Sequence, residues 1–171
     1  LAVQEISENF PDERKVILGT KINMDELPFP YAKDDLENCR RGEKLVYYET
    51  SRGCPFNCAY CLSPANHGVR FLPIDRVKKE LAELVDAGVL TIKFVDRTFN
   101  ADKTRAMEIW KHCMSLKGDT CFHFEIGADL LTDEMIDLLK DVPKGKFQFE
   151  IGVQTTNQDA LSVISRSMDI E

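Results

Sequence analysis

The sequence predicts an α/β fold: a parallel sheet curled into an open barrel of βα units, with about four such units present. Two observations carry this. Short runs with alternating apolar residues recur along the chain, and between them lie segments whose apolar residues repeat at helical spacing. The order that results, βαβαβαβα, requires parallel strands joined by right-handed crossovers.

Residues 1–44 show little periodicity and are expected to form an extended N-terminal linker, with the ordered core spanning residues 45–171. Within the linker, Pro28 and Pro30 lack backbone donors, so Asp25–Tyr31 should be extended. Leu45–Thr50 reads as the first strand. Pro73 opens a helix with Ile74, Val77, Leu81, Leu84 and Val85 on one face, and Gly88 closes it. Leu90–Asp96 reads as the second strand. Asn100 is the expected cap of the next helix, whose stripe is Ala106, Ile109, Trp110 and Cys113. Cys121–Gly127 is the third strand. Thr132 caps a third helix that starts with Asp133 and Glu134, with Met135, Ile136, Leu138 and Leu139 as its buried face. Lys146–Gln154 is the fourth strand, and Asn157 starts a last helix bearing Leu161 and Ile164.

The alternation assigns faces. Phe122, Phe124 and Ile126, and likewise Phe147, Phe149, Ile151 and Val153, should lie under the helices. Cys121, His123, Glu125 and Gly127, with Gln148, Glu150, Gly152 and Gln154, should then point into the barrel. A sealed barrel is filled by bulky branched side chains, so a polar interior points to a ligand cavity or to a self-satisfied polar network.

The chain carries 171 residues, 43% of them hydrophobic, and a formal net charge of −7. An acidic surface gives no pull towards phosphate backbones, which disfavours bulk nucleic-acid binding. No apolar run is long enough to cross a bilayer. Leu1–Phe10 has no initiator Met and no targeting pattern, so the start is expected to be a cut inside a longer protein. The pattern runs out at Glu171, which leaves the last strand without its outer neighbour and predicts that the isolated chain is inactive and self-associates.

Cys54-Pro55-Phe56-Asn57-Cys58-Ala59-Tyr60-Cys61 is the strongest signal. Three cysteines within eight residues are too close for an ordinary disulfide framework. Nothing suggests secretion, so a reducing, cytoplasmic compartment and thiols used as ligands are expected. Thiolates are the usual ligands of iron–sulfur clusters, and three of them on a four-iron cubane leave one iron open for a ligand. The competing reading is a zinc site with His67 as fourth ligand. Cys39, Cys113 and Cys121 have ordinary structural readings in the linker, on a helix stripe and at a strand start.

The Cys-x₃-Cys-x₂-Cys run, with an aromatic before its last cysteine, resembles the signature of the radical S-adenosylmethionine (SAM) superfamily. Phe94-Val95-Asp96-Arg97-Thr98-Phe99-Asn100 is similar to the second-strand segment of its cobalamin-associated branch. Ile151-Gly152-Val153-Gln154-Thr155-Thr156-Asn157, followed by Leu161 and Arg166, is similar to the fourth-strand segment, and Leu27-Pro28-Phe29-Pro30-Tyr31 to the stretch upstream of the domain. Chains of this kind are often described as magnesium-protoporphyrin monomethyl ester oxidative cyclase-like.

The resemblance implies a (β/α)₆-type partial barrel. It implies a 4Fe-4S cluster on Cys54, Cys58 and Cys61, with SAM on the open iron, and a 5′-deoxyadenosyl radical that takes hydrogen from an organic substrate. A reductant such as flavodoxin or ferredoxin would supply the electron, and a cobalamin domain would lie outside this chain. Tyr60 would sit near adenine and Asp96 near the methionine amine. Glu125 and Gln154 would meet the ribose hydroxyls, and Arg166 the SAM carboxylate. His123 either reaches substrate or is a satisfied interior histidine. The alternative class is a non-enzymatic iron–sulfur or zinc-binding module.

Overall fold

The computed structural model describes residues 23–39, 45–62, 68–166 and 168. In chain order its elements are α1 (Lys33–Cys39), β1 (Leu45–Tyr48), β2 (Ser51–Arg52), β3 (Arg70–Phe71), α2 (Ile74–Asp86), β4 (Thr91–Phe94), α3 (Lys103–Ser115), β5 (Cys121–Ile126), α4 (Asp133–Lys140), β6 (Phe147–Ile151) and α5 (Gln158–Val163). Single 3-10 turns occupy Met24–Glu26, Phe99–Ala101 and Ala128–Leu130. Four strands form one parallel sheet in the order β1-β4-β5-β6, the expected partial barrel. No described helix is long and apolar enough to cross a membrane.

Strand alternation decides which face the helices cover. Val46, Tyr48, Ile92, Phe94, Phe122, Phe124 and Ile126 are all buried, whereas Lys93, His123 and Glu125 on the other face are only partly covered. Phe124 is the centre of the covered layer. Its ring lies 4.5 Å from those of Phe94 and Phe99 and 5.2 Å from that of Phe147, centroid to centroid. Trp110 of α3 and Val77, Leu81 and Leu84 of α2 close the layer from outside. Glu80 of α2 is also buried there. It accepts from the Tyr48 hydroxyl at 2.6 Å and pairs with Arg76 at 2.7 Å, which ties α2 to β1.

The helix ends follow local chemistry. Gly88 takes φ 77° after α2, with its N–H on the Val85 carbonyl at 2.8 Å and the Val89 N–H on Leu84 at 3.2 Å. This is a Schellman ending, which favours glycine. Thr132 and Asn157 cap α4 and α5 as expected, accepting from Met135 and Ala160. Asn100 does not cap α3. That role falls to Asp102, which accepts from the Arg105 N–H at 3.0 Å. Asn100 is instead fully buried, and its amide pairs with both backbone groups of Gly127: Nδ2 donates to the carbonyl at 2.8 Å, and Oδ1 accepts from the N–H at 2.9 Å.

Three further expectations need correction. Ile136 is 43% exposed, because α4 turns only Met135 fully inward, with Leu138 and Leu139 partly covered. Ile151 and Val153 are 44% and 46% exposed, because β6 ends at Ile151 and the chain leaves the sheet there. The N-terminal stretch is not extended throughout. In its described part, Asp34 and Asp35 fall in the first turn of α1, and Asp35 accepts from the Ala32 N–H at 2.9 Å, a local start signal. Between the 3-10 turn and α1, Tyr31 reaches the open edge of β1. Its hydroxyl donates to the Tyr47 carbonyl at 2.6 Å and accepts from the Tyr47 N–H at 2.9 Å.

Replacing Asn100 by Ala removes both bonds and leaves the Gly127 backbone groups unpaired in the interior. Asn100→Ala is expected to lower stability by about 2–4 kcal/mol, from a net bond energy plus an unsatisfied buried group. Urea unfolding against wild type measures it.

Candidate metal centre and cofactor cavity

The cysteine segment leaves the sheet at the C-terminal end of β1, and its course is set by Asp96. That carboxylate is 1% exposed at the end of β4. Its Oδ1 accepts from the Thr50 hydroxyl at 2.6 Å and the Ser51 hydroxyl at 2.5 Å, and its Oδ2 accepts from the Thr50 N–H at 3.0 Å. Burial pushes the Asp96 carboxyl above its ordinary value, against the Ser51 and Thr50 hydrogen bonds that pull it down. Arg105 stands behind this group, over the Phe71 ring at 5.1 Å. Ser51 and Arg52 then pair antiparallel with Phe71 and Arg70, a clasp at the base of the loop that periodicity did not reveal.

Gly53, at φ 111°, turns the chain into Cys54. Further on, the Ala59 N–H donates to the Ile164 carbonyl at 2.8 Å, and the Cys61 N–H to the Cys58 carbonyl at 3.0 Å. Arg166 closes the other side: its guanidinium donates to the Gly152 carbonyl at 2.7 Å and to the Tyr60 hydroxyl at 3.2 Å. The segment is therefore held at its base by Asp96 and at Ala59 and Tyr60 by the stretch after α5.

Between these walls lies a cavity of about 280 Å³. Cys54, Cys58 and Cys61 line it, together with Tyr60, Glu125, Gln154 and Arg166 from the residues singled out in the sequence. Arg97, Thr98, Gly127, Glu150 and Gly152 complete the polar wall. Every one of these residues lies in the cysteine segment, near the C-terminal end of a strand, or just after α5, the mouth where barrel folds place their sites. Gln154 reaches the cavity by another route than expected. It lies beyond β6 in the left-handed region, at φ 66°, and its Nε2 occupies the space a Cβ on Gly152 would need, 2.7 Å away. A second space, of about 650 Å³, adjoins the same loop and shares Tyr60, Cys61 and Arg97 with the first.

Asp96, expected near a ligand amine, lines neither cavity. Both its oxygens are engaged by Thr50 and Ser51, and burial closes it off from the cavity. Glu150 was missed. It pairs with Glu125 in the β5–β6 register, and the Lys93 ammonium bridges the two like charges, 3.5 Å from Glu125 and 3.0 Å from Glu150. The Glu150 bond raises Lys93 above the ordinary amine value, and the same bond lowers Glu150. His123 lies 3.3 Å from Glu150 on the same face. The signal for Glu150 was present in the strand parity it shares with Gln148 and Gly152.

No disulfide joins any of the six cysteines. Burial pushes the Cys113 thiol well above its ordinary range, and raises Cys121 as well, so neither is poised as a thiolate. Cys39 is buried in the core. Among the described residues no three His, Cys, Asp or Glu side chains gather closely enough to hold one ion. In a cubane each thiolate ligates a different iron, so three cysteines that line one cavity without meeting at a single point fit that group. His67, the fourth ligand in the zinc reading, lies outside the described residues.

The sequence profile described as the radical SAM superfamily matches residues 48–171. An uncharacterized methyltransferase of Pyrococcus horikoshii is 38% identical over 92 residues, 51% of this chain and 20% of that protein. The ribosomal protein uS12 methylthiotransferase RimO of Dictyoglomus thermophilum is 31% identical over 132 residues, 71% of this chain and 30% of that protein. Among solved structures, the radical SAM methyltransferase TsrM of Kitasatospora setae, with cobalamin and a 4Fe-4S cluster bound, superposes with a TM-score of 0.62 at 21% identity, over 75% of this chain and 24% of that one. The chain thus spans less than a third of each of these proteins.

Asp96 gives the site a pH signature. Its folded value lies above the unfolded one of 3.8, so the folded state holds the proton more tightly. The stability it contributes is full below the unfolded value and is lost as pH rises through the folded value. Asp96→Asn is expected to flatten that part of the profile, read by urea unfolding across the acid to neutral range.

Proposed function

Because the chain belongs to the radical SAM superfamily, we propose that it forms the cluster- and SAM-binding part of an enzyme transferring a methyl or methylthio group to an organic substrate. The observation that carries this is the convergence of Cys54, Cys58 and Cys61 on one cavity with Glu125, Gln154 and Arg166. The three cysteines would hold the cluster. That cluster would supply the electron for reductive cleavage of SAM. Arg166 offers a planar fork for a carboxylate, and Glu125 and Gln154 offer acceptors for ribose hydroxyls. Tyr60 stands beside Arg166, and its half-exposed ring offers a face for adenine.

The group-transfer reading is supported by the relatives' described activities. A ring-forming oxidative reaction of the cyclase-like type draws only on the motif resemblance. Cobalamin would enter through residues other than these, as would the reductant that feeds the cluster. The substrate class is open to a direct assay: anaerobic reconstitution of the full-length protein, with SAM-derived products followed by mass spectrometry. Loss of SAM turnover in the presence of a full cluster would leave the non-enzymatic iron–sulfur module as the reading.

Three variants test the residue roles. Cys58→Ala is expected to lose the 4Fe-4S absorbance and most iron and sulfide after reconstitution, while Cys113→Ala, at a buried and protonated thiol, keeps both. Arg166→Ala is expected to weaken SAM binding about tenfold to a hundredfold, the range for a hydrogen bond to a charged group. Equilibrium dialysis of SAM against reconstituted protein reads it.

A further inference from the structure

Thr98 stands where β4 delivers the chain to the cavity, and the group-transfer reading gives it no role. It is 8% exposed, and the buried Phe99 and Asn100 follow it directly. Its Oγ1 lies 3.6 Å from the Cys54 sulfur and 2.8 Å from the Arg97 carbonyl. A hydroxyl has one proton to give and can accept as well. While Cys54 is a thiol, the chain of bonds closes as S–H to Oγ1 and Oγ1–H to the Arg97 carbonyl. A cysteine that ligates iron has lost its proton and can only accept. Thr98 then has one proton and two acceptors, of which the thiolate carries charge and the carbonyl does not. Charge-assisted bonds are the stronger ones. Arg97 is exposed, so water can replace the donor its carbonyl loses.

We propose that Thr98 is a positioning and tuning residue for the cluster: its hydroxyl turns to donate to the Cys54 thiolate and raises the reduction potential of the cluster. The inference rests on the cluster assignment to Cys54. Hydrogen bonds to the sulfurs are one of the levers by which a protein sets iron–sulfur potentials. The reduced cluster carries one more electron than the oxidised one, so its sulfurs are better acceptors. A donor at Cys54 therefore stabilises the reduced state more. Removal of that donor shifts the potential to more negative values, making reduction harder. The geometry is prepared before the cluster arrives, because the Asn100 amide bonds to Gly127 anchor the backbone two residues on.

The test is a dye-mediated potentiometric titration, followed by electron paramagnetic resonance, of anaerobically reconstituted full-length protein. Thr98→Val replaces the hydroxyl by a methyl of similar shape, Thr98→Ala removes it, and Thr98→Ser keeps it. Val and Ala proteins are expected to titrate at more negative potential than wild type at equal iron and sulfide content, and the Ser protein to stay at the wild-type value. An unmoved potential in a fully loaded Val or Ala protein overturns the proposal, as does a Ser protein that falls as far as Val. If Val and Ala proteins unfold like wild type before loading yet fail to hold iron that the Ser protein holds, the hydroxyl is needed to retain the cluster rather than to tune it, and the proposal is overturned. A wild type that assembles no cluster under these conditions removes the cluster assignment itself, a result separate from an unmoved potential.

Discussion

Asp96 sits at the end of β4 with almost no water to solvate it, so both its oxygens need donors from the protein. Thr50 and Ser51 supply three, and they are the residues through which the chain passes from β1 to the cysteine segment. The carboxylate thus fixes the direction in which that segment leaves the sheet. Parting loop from strand would take all three donors from this carboxyl at once. Ser51 and Arg52 then pair with Phe71 and Arg70, which fixes the base of the loop.

The other strand ends are held by comparable means. The Asn100 amide imitates a neighbouring strand for Gly127, and Arg166 reaches across to the Gly152 carbonyl. Each bond joins the segment after one strand to a different part of the mouth. The cavity wall is made of pieces from the cysteine segment, the turn after β4, the ends of β5 and β6, and the stretch after α5, yet those pieces are positioned by side chains that satisfy backbone groups. That arrangement fits a site which must place three thiols relative to a second ligand, because preorganised side chains add no ordering cost at the moment of binding.

Much of this was legible in the sequence, because strands and helices announce themselves by period. Phe122, Phe124 and Ile126 against His123 and Glu125 gave the covered and open faces of β5, and Gly88, Thr132 and Asn157 marked helix ends by their own local chemistry. The cysteines were legible by spacing alone. What periodicity does not encode is which polar residue finds which partner across the chain. Asn100 looked like a helix cap, because Asn caps helices locally, but its partner lies 27 residues away. Asp96 reads as a ligand contact from the resemblance of its segment to a family motif, while in the structure Thr50 and Ser51 engage both its oxygens. Gln154 was placed on a strand face, and a left-handed turn after Ile151 carries it to the same cavity.

Tyr31 has a consequence of a different kind. One phenol oxygen meets both the N–H and the carbonyl of Tyr47, the pair of backbone groups that a neighbouring strand would have used. A second polypeptide approaching β1 must therefore evict a side chain before it can form its first rung. The sheet is thus polarised sideways as well as along its strands. At Tyr47 the β1 flank is occupied by a side chain, whereas among the described residues β6 has no strand on its outer side.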